Sequence, residues 1–179
     1  MSRYAPNVLT MLRIALVPLF WALLFDDAQF LSLVVFWIAA STDFFDGWLA
    51  RRRGLVSAFG KIADPIADKA LTGAAWISLS LLGAIAWPAT IIILIREIGI
   101  TVMRLLIVES TVVPASRGGK WKTTLQIVVI SAYLLFPLPA PAPIVFFQTV
   151  LLWATVIVTV VTGIGYLKHL LPELRKVRA

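Results

Sequence analysis

Long apolar runs broken by short polar links dominate this chain. Six runs come near the roughly twenty residues that a bilayer core requires. They cover residues 7–25, 29–51, 65–86, 88–109, 122–137 and 144–167. Asp26-Asp27 separates the first two, and the uncharged stretch from Gly83 to Trp87 separates the third from the fourth. Repeated proline from Pro137 to Pro143 breaks any helix between the last two. The pattern predicts an all-α integral membrane protein of six transmembrane helices, forming a single domain over residues 1–179. No internal repeat and no separate soluble domain interrupts it.

Composition narrows the class further. A mean hydropathy of +0.95 with 60% hydrophobic residues excludes an ordinary soluble domain and a disordered chain alike. The chain has no Cys, so it has neither a disulfide framework nor a thiolate metal site. Its single His, His169, reads as an interfacial residue at the end of the last helix. The first apolar run carries Arg13 and Pro18 and lacks a clean small-residue cleavage site, so it is not expected to be a cleaved signal.

Charge sets the expected orientation. Cytoplasmic flanks of membrane helices carry an excess of Lys and Arg. Arg3 and Arg13 lie by the first N-terminus, and Arg51 to Arg53, Lys61 and Lys69 lie around the second link. Arg96, Arg104, Arg117, Lys120 and Lys122 lie around or before the fourth, and Lys168, Arg175, Lys176 and Arg178 close the chain. With six alternating spans, all sixteen fall on or toward one side. Both termini are therefore expected to be cytoplasmic. The net charge of +7 sits at the ends of apolar runs. Anionic lipid headgroups and phosphorylated substrates fit that placement, and nucleic acid does not.

Against this apolar background stand four carboxylates, Asp43, Asp46, Asp64 and Asp68. An Asp at the centre of a membrane helix costs roughly 2.5–3.5 kcal/mol on insertion scales. Such a cluster persists where it faces water, pairs with cations or does chemistry. On a helix, positions three or four apart share a face. Asp43 therefore pairs with Asp46, and Asp64 with Asp68. The polar stretch from Arg51 to Gly60 reads as a turn joining two antiparallel helices, which places both pairs at one end of a hairpin. Hard divalent cations prefer such carboxylate oxygens. Two unrelated acidic pairs capping neighbouring helices are the plainer alternative, and a cation transporter is a remote one. A transporter would place polar groups near the midplane, whereas these acids cluster toward one face.

The whole stretch resembles the signature of the CDP-alcohol phosphatidyltransferase family, D-x2-D-G-x2-A-R-x8-G-x3-D-x3-D. Asp43, Asp46, Gly47, Ala50, Arg51, Gly60, Asp64 and Asp68 meet every fixed position without insertion. Eight such identities coincide by chance on the order of 10⁻¹⁰ per start position. The resemblance implies transfer of a phosphatidyl group from CDP-diacylglycerol to an alcohol, with release of CMP. It implies two divalent cations, Mg²⁺ or Mn²⁺, on Asp43, Asp46, Asp64 and Asp68, with Asp68 also the general base. Asp43, Asp46, Gly47, Ala50, Arg51 and Gly60 are implied in CDP-lipid binding. The small residues let a nucleotide lie close, or alternatively let helices pack closely. A homodimer in a bacterial inner membrane, multi-pass and with its active site toward the cytoplasm, is implied as well.

Three features outside the signature bear on the substrates. Asn7, Thr10 and Arg13 form a polar stripe on the first helix. It either lines the CDP-lipid pocket or consists of an N-cap and a snorkelling arginine. Arg96-Glu97 lies deep in an apolar run, where charge marks function or a structural pair. Adjacent side chains point about 100° apart, so a direct bridge between these two is disfavoured. Arg117, Lys120 and Lys122 enter the fifth helix among glycines, either as a phosphate site or as a positive-inside loop. Arg96-Glu97-Ile98, Arg104 and the run from Gly119 to Thr123 resemble the branch of the family that makes phosphatidylglycerolphosphate in bacteria. That branch implies sn-glycerol 3-phosphate as the acceptor, with Arg104, Arg117, Lys120 and Lys122 at its phosphate. Phosphatidylglycerol (as in a cardiolipin synthase) and an inositol phosphate remain the alternative acceptors.

Overall fold

A computed structural model describes the backbone of residues 5–53, 58–107 and 117–178, and the side chains of residues 11–42, 69–103 and 121–168. Six helices follow one another: α1 Ala5–Phe25, α2 Gln29–Arg53, α3 Ala58–Leu81, α4 Trp87–Ile107, α5 Arg117–Leu135 and α6 Ala142–Arg178. No strand occurs among the described residues. The chain is all-helical, as the apolar runs predict. Residue contacts divide it into two compact units, Met1–Leu82 and Gly83–Ala179.

In the first unit α1 packs against both α2 and α3, and α2 also meets α3. Phe20 and Leu24 of α1, Phe36 and Ala39 of α2, and Leu71 and Trp76 of α3 are buried there. The rings of Phe20 and Phe36 stand 6.1 Å apart and tilted, within the range where aromatic pairs attract. Asp27 takes φ 54° in the short link between α1 and α2, a left-handed conformation that Asp tolerates better than most residues. The expected turn over residues 51–60 is shorter than the sequence suggests. Arg51 to Arg53 belong to α2, and Ala58 to Gly60 open α3. Hydropathy marks where lipid ends, whereas a helix continues as long as its backbone hydrogen bonds do.

In the second unit α6 packs against α4 and against α5. Gly83, at φ 71°, lies in the connection that leaves α3, in the left-handed conformation that often ends helices. Pro88 sits in the first turn of α4, where its missing N–H leaves no bond unmade. α6 presents two opposed stripes. Gln148, Leu152, Thr155, Thr159, Gly163 and Tyr166 face inward and are buried. Phe146, Val150, Trp153, Ile157, Val161 and Ile164 are exposed, Phe146 by 72%. That outer stripe runs for about 27 Å at 1.5 Å per residue, close to the thickness of a hydrocarbon core. An exposed apolar surface of this extent fits lipid and not water.

Among the described residues, Ala142–Lys168 is the one helix long and apolar enough to cross a membrane on that evidence alone. Met11–Phe25, Gln29–Thr42 and Trp121–Leu135 are shorter apolar stretches.

Candidate active site

The signature falls on two helices of the first unit. Asp43, Asp46, Gly47, Ala50 and Arg51 belong to the last turns of α2, and Gly60, Asp64 and Asp68 to the first turns of α3. Four residues, 54–57, connect them. The helical backbone gives Asp43 and Asp46 a shared face about 60° wide with a rise of about 4.5 Å. Asp64 and Asp68 share a face about 40° wide over about 6 Å. The side chains of these eight residues lie outside the described set, so the helical register is what the structure contributes. A four-carboxylate donor set on two neighbouring helices is chemically suited to hard divalent cations.

Asn7 and Thr10 lie in α1, and their side chains also fall outside the described residues. Arg13 is 1% exposed. A snorkelling arginine would extend its guanidinium to water, so the snorkelling alternative does not fit this buried position.

The second unit holds a buried ionic cluster. One oxygen of Glu97 in α4, Oε1, accepts hydrogen bonds from three donors. Lys122 Nζ of α5 donates to it, as do Arg96 Nη1 at 3.1 Å and Gln126 Nε2 of α5 at 3.4 Å. The Lys122 and Glu97 side chains are 3% and 7% exposed. The direct Arg96–Glu97 bridge thus forms despite the 100° separation. The reason lies on α6, where Gly163 leaves room for the arginine stem to fold back. A Cβ at residue 163 would stand 3.1 Å from Arg96 Cγ. The guanidinium carbon then lies 5.8 Å from the centre of the Tyr166 ring, within cation–π range. Arg96 Nε is buried with no hydrogen-bond acceptor among the described residues.

Of the four cations expected at an acceptor phosphate, Lys122 is therefore engaged by Glu97. Arg104 is placed in α4, and Arg117 and Lys120 in the first turn of α5, with side chains outside the described residues. Gln126, Gly163 and Tyr166 carry no assignment in the sequence reading. The available signal was the inward stripe of α6, where polar and small residues recur every three or four positions in an apolar run.

The family model for CDP-alcohol phosphatidyltransferase matches residues 3–161. The chain is 42% identical over 178 residues to a "Probable phosphatidylglycerophosphate synthase" of Mycobacterium tuberculosis, covering 96% of this chain and 84% of that protein. It is 39% identical over 178 residues to a "CDP-diacylglycerol--glycerol-3-phosphate 3-phosphatidyltransferase" of Bacillus subtilis, covering 90% and 92%. A protein of the same name from Rickettsia typhi is 36% identical over 170 residues, covering 91% and 94%. With a complete signature on α2 and α3 and a family match over most of its length, the chain belongs to the CDP-alcohol phosphatidyltransferase family.

Proposed function

We propose that this protein transfers the phosphatidyl group of CDP-diacylglycerol to sn-glycerol 3-phosphate, giving phosphatidylglycerolphosphate and CMP. The observation that carries the reading is the uninterrupted eight-position signature on two adjoining helices. The names of the relatives support the choice of acceptor.

In this reading Asp43, Asp46, Asp64 and Asp68 hold two divalent cations, Mg²⁺ or Mn²⁺. When bound, such ions stabilise charge on the attacking and leaving oxygens of an in-line displacement. Asp68 takes the proton from the acceptor hydroxyl as that oxygen attacks the lipid-side phosphorus. The P–O bond to CMP breaks, and CMP carries the negative charge away. Arg51 contacts the diphosphate, and Gly47, Ala50 and Gly60 let the nucleotide lie close to the helices. Asn7, Thr10 and Arg13 line the CDP-lipid pocket. Arg104, Arg117, Lys120 and Lys122 receive the acceptor's phosphate.

The membrane arrangement belongs to the same proposal. The six helices are six spans in a bacterial inner membrane, with both termini and the acidic site cytoplasmic. The one-sided distribution of all sixteen Lys and Arg supports it. A homodimer is the expected assembly.

An acceptor panel tests the reaction. Purified protein, CDP-diacylglycerol and divalent metal are incubated with glycerol 3-phosphate, phosphatidylglycerol, inositol phosphate or serine, and CMP release is measured. CMP release with glycerol 3-phosphate above all others is expected. Turnover with a different alcohol alone would overturn the acceptor assignment.

A further inference from the structure

The Arg96-Glu97 pair has no role in the chemistry above, yet it is buried and highly connected. We propose that Glu97 is a positioning residue for the acceptor's phosphate: it fixes the Lys122 ammonium, and it is itself fixed through Arg96 by Gly163 and Tyr166. The inference rests on the reading above, in which Lys122 belongs to the phosphate-binding set.

Three observations carry it. First, the α4 and α5 backbones make no close approach among the described residues, although α6 packs on both. Among the described residues, the side chain of Glu97 joins them, to Lys122 and Gln126. A lysine stem has four rotatable bonds and samples many rotamers unless something selects one. Glu97 selects one here. Second, Arg96 is braced from α6, with its stem beside Gly163 and its guanidinium over Tyr166. Glu97 is thus held from two sides. Third, Glu97 bonds two cations at once among the described residues, so one carboxylate oxygen orients both Lys122 and Arg96.

Register adds a direction. Arg104 lies seven residues beyond Glu97, which returns within about 20° of the same face and about 10 Å nearer the end of α4. Lys120 precedes Lys122 by two residues at the start of α5. The other expected phosphate cations therefore lie closer to the 108–116 connection than the cluster does.

Steady-state kinetics with each substrate varied separately tests this. Glu97→Gln is expected to raise the KM for glycerol 3-phosphate about tenfold or more, with the KM for CDP-diacylglycerol within about twofold. A purely structural pair behaves differently, because replacing both partners by neutral groups restores it. In Glu97→Gln/Lys122→Met the raised acceptor KM should persist even where thermal stability recovers. Recovery of both would overturn the proposal, as would equal rises in the two KM values or an unchanged acceptor KM. Should Glu97→Gln fail to fold, Gly163→Ala decides, because it reaches Glu97 only by displacing Arg96. A selective rise of about threefold or more in acceptor KM is expected, and no change would overturn the proposal. A native protein that releases CMP with another alcohol but not with glycerol 3-phosphate would instead defeat the functional reading, and the phosphate assignment with it.

Discussion

The buried cluster predicts an asymmetry between two substitutions that each remove one charge. Two cations and one carboxylate meet there, with Lys122 and Glu97 side chains 3% and 7% exposed and Arg96 12% exposed. Glu97→Gln takes away the carboxylate that both Lys122 and Arg96 bond among the described residues, in a low-dielectric site. Breaking a buried pair in this way costs roughly 3–5 kcal/mol. Lys122→Met takes away one cation and leaves Glu97 with Arg96 at 3.1 Å and Gln126 at 3.4 Å. Methionine also refills the volume of the lysine stem. The loss among the described contacts is then the charge-assisted hydrogen bond to Glu97, roughly 1.5–3 kcal/mol. The difference of about 2 kcal/mol corresponds to about 4–8 °C for a chain of this length. Thermal unfolding of the two detergent-solubilised variants, followed by intrinsic tryptophan fluorescence, measures it directly. Glu97→Gln should unfold at the lower temperature. If Lys122→Met unfolds first, the charge balance inferred for the cluster is wrong.

Other consequences follow from the remaining elements. Asp43→Asn, Asp46→Asn and Asp64→Asn should each abolish most CMP release, as EDTA should for the native protein; robust turnover of EDTA-stripped protein would defeat the two-cation scheme. Asp68→Asn should retain CDP-lipid binding yet stop transfer, and a binding loss as severe as that of Asp46→Asn would remove its role as base. A Cys introduced between Pro137 and Pro143 should react with an impermeant thiol reagent on intact cells, and one at Gly54 only after the membrane is opened; the reverse pattern would invert the proposed topology. Gln148 donates Nε2 to the carbonyls of Ala132 and Phe136 near the end of α5, at 3.0 and 2.8 Å. Gln148→Met should therefore lower stability by about 1–3 kcal/mol with little change in acceptor KM, and an unchanged unfolding temperature would contradict that capping role.

Why part of this protein was legible in its sequence, and part not, comes down to the range of each interaction. Helix existence follows from local composition, so the six helices lie where the apolar runs place them. Helix ends follow from hydrogen bonding beyond the lipid-facing residues, so α3 begins at Ala58 and not at 65, and α6 runs on to Arg178. The acidic signature is local too, since i,i+3 and i,i+4 spacing puts each pair of its carboxylates on one face of its own helix. The environment of Glu97 is of another kind. Its carboxylate depends on Lys122, twenty-five residues away, and its neighbour Arg96 depends on a missing side chain at Gly163. Reasoning from α4 alone therefore disfavours a bridge that the structure forms, because the angle between adjacent side chains is fixed by the helix but the path of a long arginine is not. A glycine on another helix supplies that path. The absence of a Cβ is an unremarkable feature in an apolar run, and it acquires meaning only once the opposing residue is known to be charged and buried.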